Sequence, residues 1–309
     1  MSPPMAPRTA PFLPTTAEEL RALGWPGIDV LLVSGDAYID HPSFGAAVIG
    51  RVLEAQGLRV GIVAQPDWRS TRDVSRLGRP RLFVGITAGA MDSMVNHYTA
   101  HKRPRSDDAY TPGGAAGRRP DRAAVVYARL CREAFGPTTP IVIGGIEASL
   151  RRIAHYDYWD DRVLPSILVP SGADLLVYGQ GEKPIVEIAR RLASGEDVCG
   201  LVDVPGTAVL LEDLALAGLE ARTRGTVELP PYEEIVVDRR RFAEFSRLYH
   251  REHNADNARI LLQRHGAGPR ARTVVVNEPM PSPTTVRARG PAPWRWSRIR
   301  ALSPLCSRW

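Results

Sequence analysis

Acidic, basic and aromatic side chains lie directly after several apolar, β-branched runs of this sequence. The side chains in those positions are Asp36, Tyr38, Asp40, His41, Asp67, Trp68, His97, Tyr98, Glu147, Arg151 and Arg152. Glycines accompany them, and glycine lets backbone approach a ligand or a neighbouring domain closely, although it also serves simply to make tight turns. We predict that these residues form one edge that faces a substrate or another domain, and we assign no role to any one of them.

The motifs of several common enzyme classes are absent from the sequence. The first predicted strand is followed by no G-x-G-x-x-G, and the chain contains neither G-x-x-x-x-G-K-[ST] nor G-x-S-x-G, which argues against dinucleotide, P-loop and serine hydrolase sites. The histidines His41, His97, His101 and His155 show no H-E-x-x-H pattern, and Cys131, Cys199 and Cys306 lie far apart. We therefore predict no metal site, and we expect the first two cysteines to be buried thiols.

A dense charged and aromatic segment runs from Arg151 to Asp161. One interpretation is a surface for a substrate or a nucleic acid, on which rings stack against bases and arginines hold phosphates. The other is an ion-paired, partly buried seam between parts of the protein. The second is favoured because Asp157, Asp160 and Asp161 cancel the positive field that a phosphate backbone requires.

The elements that must position these side chains alternate between strand and helix patterns. Apolar strand runs occur at 28–34, 59–64, 81–87, 140–143 and 174–178, with helical periodicity between several of them. This alternation predicts a doubly wound α/β fold with a mostly parallel sheet over residues 25–200. Ligands of such sheets bind outside the carboxyl ends of the strands, where the candidate residues lie.

The rest of the chain divides by its composition. Residues 1–24 are a Pro-rich arm and a short helix, and residues 201–285 are predicted to be an extension with weaker strand signals. Residues 89–120 are too long for a plain connection, which favours a functional loop over a disordered one. The tail 286–309 carries six Arg, three of the six Trp and no acidic residue, and we expect it to be disordered.

Composition sets wide limits on function. The 309 residues suggest two domains, or one with an extension, and 44% hydrophobic with 24% charged residues is ordinary globular usage. The net charge of +6 permits nucleic-acid binding without requiring it, and the tail alone accounts for that excess. No apolar run is long enough to span a membrane and no secretory signal occurs, so a cytoplasmic protein is the default prediction.

Several segments together resemble the N-terminal region of YgiQ-type radical SAM proteins, from about Phe12 to Thr285. The matching segments are FLPTT, SGDAYIDHPSFGAAVIGRVLEAQGLRVGIVAQPDWRS, DSMVNHYTAHKRPRSDDAYTPGG, GRRPDRA, IVIGGIEASLRRIAHYDYWDD and ADLLVYGQGEKPIVEIARRLA. The resemblance implies a Rossmann-like domain similar to cobalamin-binding domains, followed by a radical SAM barrel as its partner. In the intact family, C-x-x-x-C-x-x-C holds a [4Fe-4S] cluster that binds S-adenosylmethionine and cleaves it to a 5′-deoxyadenosyl radical.

Two departures from that pattern limit what the resemblance implies for this chain. Asp40 and His41 are adjacent, so the cobalamin fingerprint D-x-H-x-x-G is not met, and C-x-x-x-C-x-x-C is absent. We therefore expect no cofactor in this chain, and we interpret it as a truncated N-terminal domain whose divergent tail reflects a shifted reading frame or a gene-model error. The alternative is a stand-alone α/β module that binds a small anionic ligand or RNA. Catalysis by the chain alone and its oligomeric state stay open.

Overall fold

The computed structural model describes residues 12–212, 225–268 and 271–280. The tail 286–309 and the first eleven residues, for which the sequence makes predictions, lie outside the described residues. The strands are β1 Val30–Ser34, β2 Val60–Ala64, β3 Phe83–Thr87, β4 Ile141–Gly144, β5 His155–Asp157, β6 Arg162–Leu164, β7 Leu175–Val177, β8 Thr207–Glu212, β9 Thr226–Leu229, β10 Ile260–His265 and β11 Arg272–Val276.

The helices lie between these strands in the first part of the chain and cluster before β10 in the second. They are α1 Ala17–Ala22, α2 Gly45–Glu54, α3 Ser93–His97, α4 Ala123–Phe135, α5 Gly145–Leu150, α6 Leu168–Ser171, α7 Glu182–Ala193, α8 Tyr232–Val237 and α9 Arg239–Arg251. Within the described ranges, no helix is both long enough and apolar enough to cross a membrane.

Nine strands of the described residues form one mixed sheet in the order β2-β1-β3-β4-β7-β8-β11-β10-β9. The first five are parallel, and we call them the parallel half. The other four, which we call the mixed half, contain antiparallel pairs and one parallel pair, β9 with β10. The prediction of a mostly parallel α/β sheet is thus confirmed.

Alternate residues of β1 pack on opposite faces of the sheet, which explains why the strand is apolar throughout. Val30 and Leu32 belong to the core on the α2 and α7 side, whereas Leu31 and Val33 belong to the core that includes α4. All five residues of the strand are buried. A strand covered on both faces loses the usual alternation of apolar and polar residues.

Local sequence fixes the ends of several helices. Thr16 accepts a hydrogen bond from the backbone N–H of Glu19, whose carboxylate in turn accepts from Thr16, which is a complete capping box at the start of α1. Helix α4 ends at Gly136, whose φ of 82° is easily adopted by glycine.

The sheet continues past residue 200, because β8 pairs antiparallel with β7 and the other mixed-half strands follow. The boundary predicted there lies inside one sheet. Strands β5 and β6 form a separate hairpin that contains part of the charged and aromatic segment. Helices α8 and α9 pack near this hairpin and the mixed half, and Phe245 of α9 lies in the same core as α4.

Candidate ligand groove and side cavity

A groove of about 460 Å³ lies over the carboxyl ends of the parallel strands, between the sheet and the first turns of α2 and α7. Strand β1 continues through α2 to β2 on one side, while β3 lies on its other side, so the chain changes direction between β1 and β3. Ligands of open α/β sheets bind at such a switch point. The topology therefore positions this groove as a candidate ligand site.

The inner wall of the groove is apolar and its rim is polar. Leu32, Ile62 and Val142 from the sheet line the inside, and the rim carries Asp36 and Gln180. This division is typical of small-molecule sites, in which apolar contact supplies affinity and a few polar groups fix orientation. Both the size and the lining of the groove suit a small organic ligand.

Two glycines at the rim allow neighbouring loops to pack against each other. A Cβ on Gly35 would lie 2.1 Å from the carbonyl oxygen of Ala88, and one on Gly145 would lie 2.5 Å from Oγ1 of Thr87. Gly145 also has a φ of +82°. In the described structure, these close approaches are made to adjacent loops, which fixes the shape of the rim.

Three buried charges link the loops behind the groove. Arg119, which is 1% exposed, places Nη1 at 2.9 Å from Oδ1 of Asp36, and Nη2 donates to Oδ2 of Asp108 at 2.9 Å. Nη1 also donates to the carbonyl of Ala88. One guanidinium thus joins the loop after β1, the loop after β3 and the long 89–120 segment.

The three paired charges form a triad, Asp36, Arg119 and Asp108, in which the pKa values of the two carboxyl groups shift in opposite directions. Burial raises the pKa of Asp36, and the hydrogen bond from Ala90 N–H and the charge of Arg119 offset it only in part. Burial also acts to raise the pKa of Asp108, but hydrogen bonds from Tyr110 N–H and Arg119 outweigh it and the pKa is lowered. Asp36, at the groove rim, is therefore the more readily protonated of the two.

The buried carboxylate of Glu147 accepts hydrogen bonds from residues in the first turns of α3 and α4. Its Oε2 accepts hydrogen bonds from the backbone N–H and hydroxyl of Ser93, at 2.8 and 2.5 Å, and Oε1 accepts from Ala124 N–H at 2.9 Å. Arg151 forms an ion pair with Asp92, the N-cap of α3. These two predicted edge residues therefore tie α3, α4 and α5 together.

Arg152 lies between two tyrosine rings. Its guanidinium carbon is 4.5 Å from the ring centre of Tyr178 and 5.1 Å from that of Tyr249 in α9. It also donates to the carbonyl of Ser149. The side chain joins the carboxyl edge to the helical layer of the mixed half.

Three further predicted edge residues that follow β1 make different kinds of contact, and only one of them lines the groove. Tyr38 lines the groove, but its hydroxyl accepts a hydrogen bond from Leu13 N–H, and Asp40 forms an ion pair with Arg51. His41 is exposed and its Nδ1 accepts from Ser43 N–H. None of these contacts brings Asp40 or His41 into the groove lining.

Asp67 and Trp68 lie in the loop after β2 and line neither cavity. Asp67 is exposed and pairs with Arg69, whose guanidinium also covers the ring of Trp68 at 4.7 Å. The Trp68 ring packs partly against the core. This loop is thus separate from the groove.

His97 and Tyr98 line a second cavity of about 290 Å³, which we call the side cavity. The Nδ1 of His97 is 2.7 Å from Oδ1 of Asp121, and the Tyr98 hydroxyl donates to Oδ2 of the same carboxylate at 2.9 Å. The other residues that line it are Asn96, Pro104, Arg105, Asp107, Asp108, Ala116 and Gly117. Asp108 thus connects this cavity, through Arg119, with Asp36 at the groove.

The charged and aromatic segment is largely ion-paired. Arg122 lies 3.4 Å from Asp157 and 3.0 Å from Asp160, and Arg162 also pairs with Asp160. Tyr158 and Trp159 pack edge to face with ring centres 5.3 Å apart. These contacts correspond to the seam interpretation of the segment.

A [4Fe-4S] cluster needs several cysteine thiolates close together. Cys131 is buried in α4, as predicted, and burial raises the pKa of its thiol to about 12. The prediction that Cys199 is buried was wrong, because this residue lies exposed in the turn after α7. Among the described residues, no group of three or more His, Cys, Asp or Glu side chains could hold a metal ion. The residues present do not fit the cluster.

Sequence reasoning missed Arg119, Asp108 and Asp121. The signal for them was the density of paired charges in the 89–120 segment and the RRPDR run at 118–122, which overlaps its end. That density favoured a functional loop but did not identify the buried pairs. The side cavity, which residues of this same segment line, was likewise not predicted.

The whole described fold and its groove fall within one family match. The family model for the radical SAM N-terminal region matches residues 12–288. This chain belongs to the radical SAM N-terminal family. The resemblance to YgiQ-type proteins stated from the sequence is thereby confirmed.

The relatives of this family member are much longer than the chain. It is 54% identical over 273 residues to UPF0313 protein blr7973 of Bradyrhizobium diazoefficiens, covering 84% of this chain and 40% of the relative. It is 47% identical over 306 residues to UPF0313 protein YgiQ of Escherichia coli, covering 83% of this chain and 41% of the relative. The chain thus spans about two fifths of the length of these relatives.

One similar solved structure is the radical SAM methyltransferase TsrM from Kitasatospora setae with cobalamin and a [4Fe-4S] cluster bound. It matches with 22% identity and a TM-score of 0.39, covering 58% of this chain and 26% of that chain.

Proposed function

We propose that this chain acts as the N-terminal domain of a radical SAM protein, with the carboxyl edge of its parallel half facing the catalytic domain. The order β2-β1-β3-β4-β7 and the groove at its switch point support a Rossmann-like fold of the cobalamin-binding-domain type. The groove would then lie between the two domains. Its role would be to hold a small ligand or substrate where the catalytic domain can reach it.

The observation that carries this proposal is a set of exposed apolar side chains on the segments that follow β1, β3 and β4, of which Ile39 and Ile146 line the groove. Ile39, Val95, Ile146 and Leu150 come from the loop after β1, from α3 and from α5, and Leu150 is 59% exposed. Clustered exposed apolar side chains mark interaction surfaces, whereas isolated ones are ordinary. A catalytic domain that covers this edge would remove these side chains from water.

Within this proposal, the two domains divide the work. The two cysteines in the described residues, Cys131 and Cys199, do not fit a [4Fe-4S] cluster, and in this proposal the cluster and S-adenosylmethionine would belong to the catalytic domain of the longer relatives. This chain would contribute the groove, the rim carboxyl of Asp36 and the docking surface. No chemical step is assigned to its own residues.

A chimera tests the proposal. Residues 12–280 of this chain would replace the matching region of the Bradyrhizobium relative, and the purified, iron-reconstituted chimera would be assayed anaerobically for 5′-deoxyadenosine. We expect the chimera to retain activity and the I146D/L150D double variant to lose at least about tenfold, because the charges oppose docking.

The matched control is V237D, since Val237 is 82% exposed on α8, away from the groove. This variant should stay within about twofold of the parent chimera, as surface substitutions usually do. Equal activity of I146D/L150D and V237D would contradict docking through the carboxyl edge. A chimera that folds and holds its cluster yet forms no 5′-deoxyadenosine would contradict the functional assignment itself.

A further inference from the structure

The side cavity contains two opposite charges that are not paired with each other. Arg105 donates from Nε to the carbonyls of Val95 and Tyr98, each at 3.3 Å, and its terminal nitrogens make no hydrogen bond or ion pair within the described ranges. The Asp107 carboxylate, which is exposed, has no such contact there either. By contrast, Asp108 in the same cavity is fully paired with buried Arg119.

A third polar group in this cavity is oriented by its surroundings. His97 is 12% exposed and its Nδ1 faces Asp121 at 2.7 Å, so in the neutral ring Nδ1 carries the proton and Nε2 is an acceptor. The Nε2 atom is buried and makes no hydrogen bond within the described part of the chain. The Tyr98 hydroxyl, bound to the same carboxylate, holds Asp121 in place.

These groups define the chemistry of a matching ligand. The Arg105 guanidinium suits a carboxylate, which it binds through parallel hydrogen bonds. The Asp107 carboxylate is an acceptor that suits an ammonium group. A simple anion would be repelled by Asp107, and a metal ion would be repelled by Arg105.

We propose that the side cavity binds the zwitterionic head of an α-amino acid, with its carboxylate towards Arg105 and its ammonium towards Asp107. The volume of about 290 Å³ accommodates such a group with a small side chain. Asp121 acts as a positioning residue that fixes the His97 ring in the wall of the cavity. This proposal does not depend on docking to a catalytic domain.

Three matched probes test it on the full 309-residue chain. L-Alanine carries both charges, propionate lacks the ammonium group and ethylamine lacks the carboxylate. Each would be titrated while the imidazole ¹⁵N shifts of His97, assigned by their loss in H97Q, are followed by NMR. We expect saturable shifts with L-alanine and at least about tenfold weaker binding of the other two probes.

Substitutions locate the binding groups. R105Q and D107N should each weaken L-alanine binding at least about tenfold, whereas R103Q, a neighbouring exposed arginine outside the cavity, should leave it unchanged. D121N should alter the His97 tautomer, seen in its ¹⁵N shifts, and weaken binding while both charged partners remain. Because Arg105 and Asp107 are exposed, these two variants should fold normally.

Several outcomes would overturn the proposal. Propionate binding as tightly as L-alanine would indicate a plain anion site, and ethylamine binding as tightly would indicate a plain amine site. The absence of saturation by L-alanine, or equal binding by R105Q and R103Q, would show that the side cavity does not bind an amino-acid head.

Discussion

At the carboxyl edge of the parallel half, buried charges from distant segments pair through Arg119, whereas the buried His265 of the mixed half has no hydrogen-bond partner within the described ranges. Arg119 joins Asp36 and Asp108 behind the groove. His265, at the end of β10, is buried, and neither of its ring nitrogens has a hydrogen-bond partner in the described ranges. It instead stacks on Tyr232, with ring centres 5.3 Å apart.

Strand direction explains the difference. Parallel strands present all their carboxyl ends at one edge, so the loops that follow them converge and their charges are able to pair. In the mixed half, β9 and β10 run in the same direction but the other neighbouring strands are antiparallel, so the strand ends are divided between the two edges and fewer loops converge at either one. Both described cavities accordingly lie at the parallel half.

The largest expected effect comes from breaking the charge triad of the parallel half. Arg119→Met would leave the carboxyl groups of Asp36 and Asp108 buried without their shared partner. We expect the free energy of unfolding of the full chain, measured in urea, to fall by about 3–5 kcal/mol. The neighbouring exposed Arg118→Met should change it by less than about 0.5 kcal/mol. If the two substitutions lower the free energy of unfolding equally, the buried triad does not stabilise the parallel half more than a surface charge does.

We expect acid to destabilise the protein through His265, the buried histidine at the end of β10. Burial lowers the pKa of His265 to about 4 from an ordinary 6.5, although the charge of Glu233 opposes this shift. The unfolded state therefore binds the proton first, and stability is lost as pH falls from about 6.5 to about 4. Over that window the loss from this residue should reach about 3 kcal/mol.

His265→Phe preserves the stacking on Tyr232 and removes the titration. The variant should lose about 3 kcal/mol less unfolding free energy between pH 7 and pH 4 than the parent chain. His155, whose pKa burial also lowers to about 4, would still contribute its own acid sensitivity. The exposed-site variant His41→Gln is the control, and an acid dependence of His265→Phe that matches this control would count against the prediction.

The smallest expected loss of stability comes from removing the guanidinium of Arg152, which joins the two halves of the sheet. Arg152→Met would remove the contacts of the guanidinium with the Tyr178 and Tyr249 rings. We expect a loss of about 1–2 kcal/mol in thermal or urea unfolding. Arg162→Met, which removes an exposed ion pair with Asp160, should cost less than about 0.5 kcal/mol. Identical costs would mean that the ring contacts contribute nothing beyond a surface charge.

The parallel half was predictable because its strands carry their own signal. Strand β1 is apolar throughout and a glycine follows it, so strand, edge and approximate site were all indicated. In the mixed half, the weaker strand signals of the extension fall on β8 and β11. Strands β9 and β10 were missed because they include charged residues such as Glu228 and Arg264, which weaken the apolar pattern. Only the pairing along the sheet makes these segments strands.

Position after a strand located the candidate residues but not the direction of their side chains. Glu147 was predicted at the edge, yet it points back to Ser93 and Ala124, residues that are distant in sequence. The pairing of Asp36 with Arg119 likewise joins the loop after β1 to the far end of the 89–120 segment. Such contacts depend on how loops converge in three dimensions, which spacing along the chain does not contain.

Docking of the carboxyl edge on the catalytic domain is tested most directly by hydrogen–deuterium exchange. The exchange of the chimera, made with the Bradyrhizobium relative, would be compared with that of the isolated chain. If the carboxyl edge docks on the catalytic domain, the amides of residues 35–45, 90–98 and 145–152 should exchange at least about tenfold more slowly in the chimera. Residues 232–251 of α8 and α9, which do not line the groove, should exchange equally in both. If the amides of the edge exchange at the same rate in the chimera and in the isolated chain, the proposed docking surface is contradicted, whether or not other residues are protected.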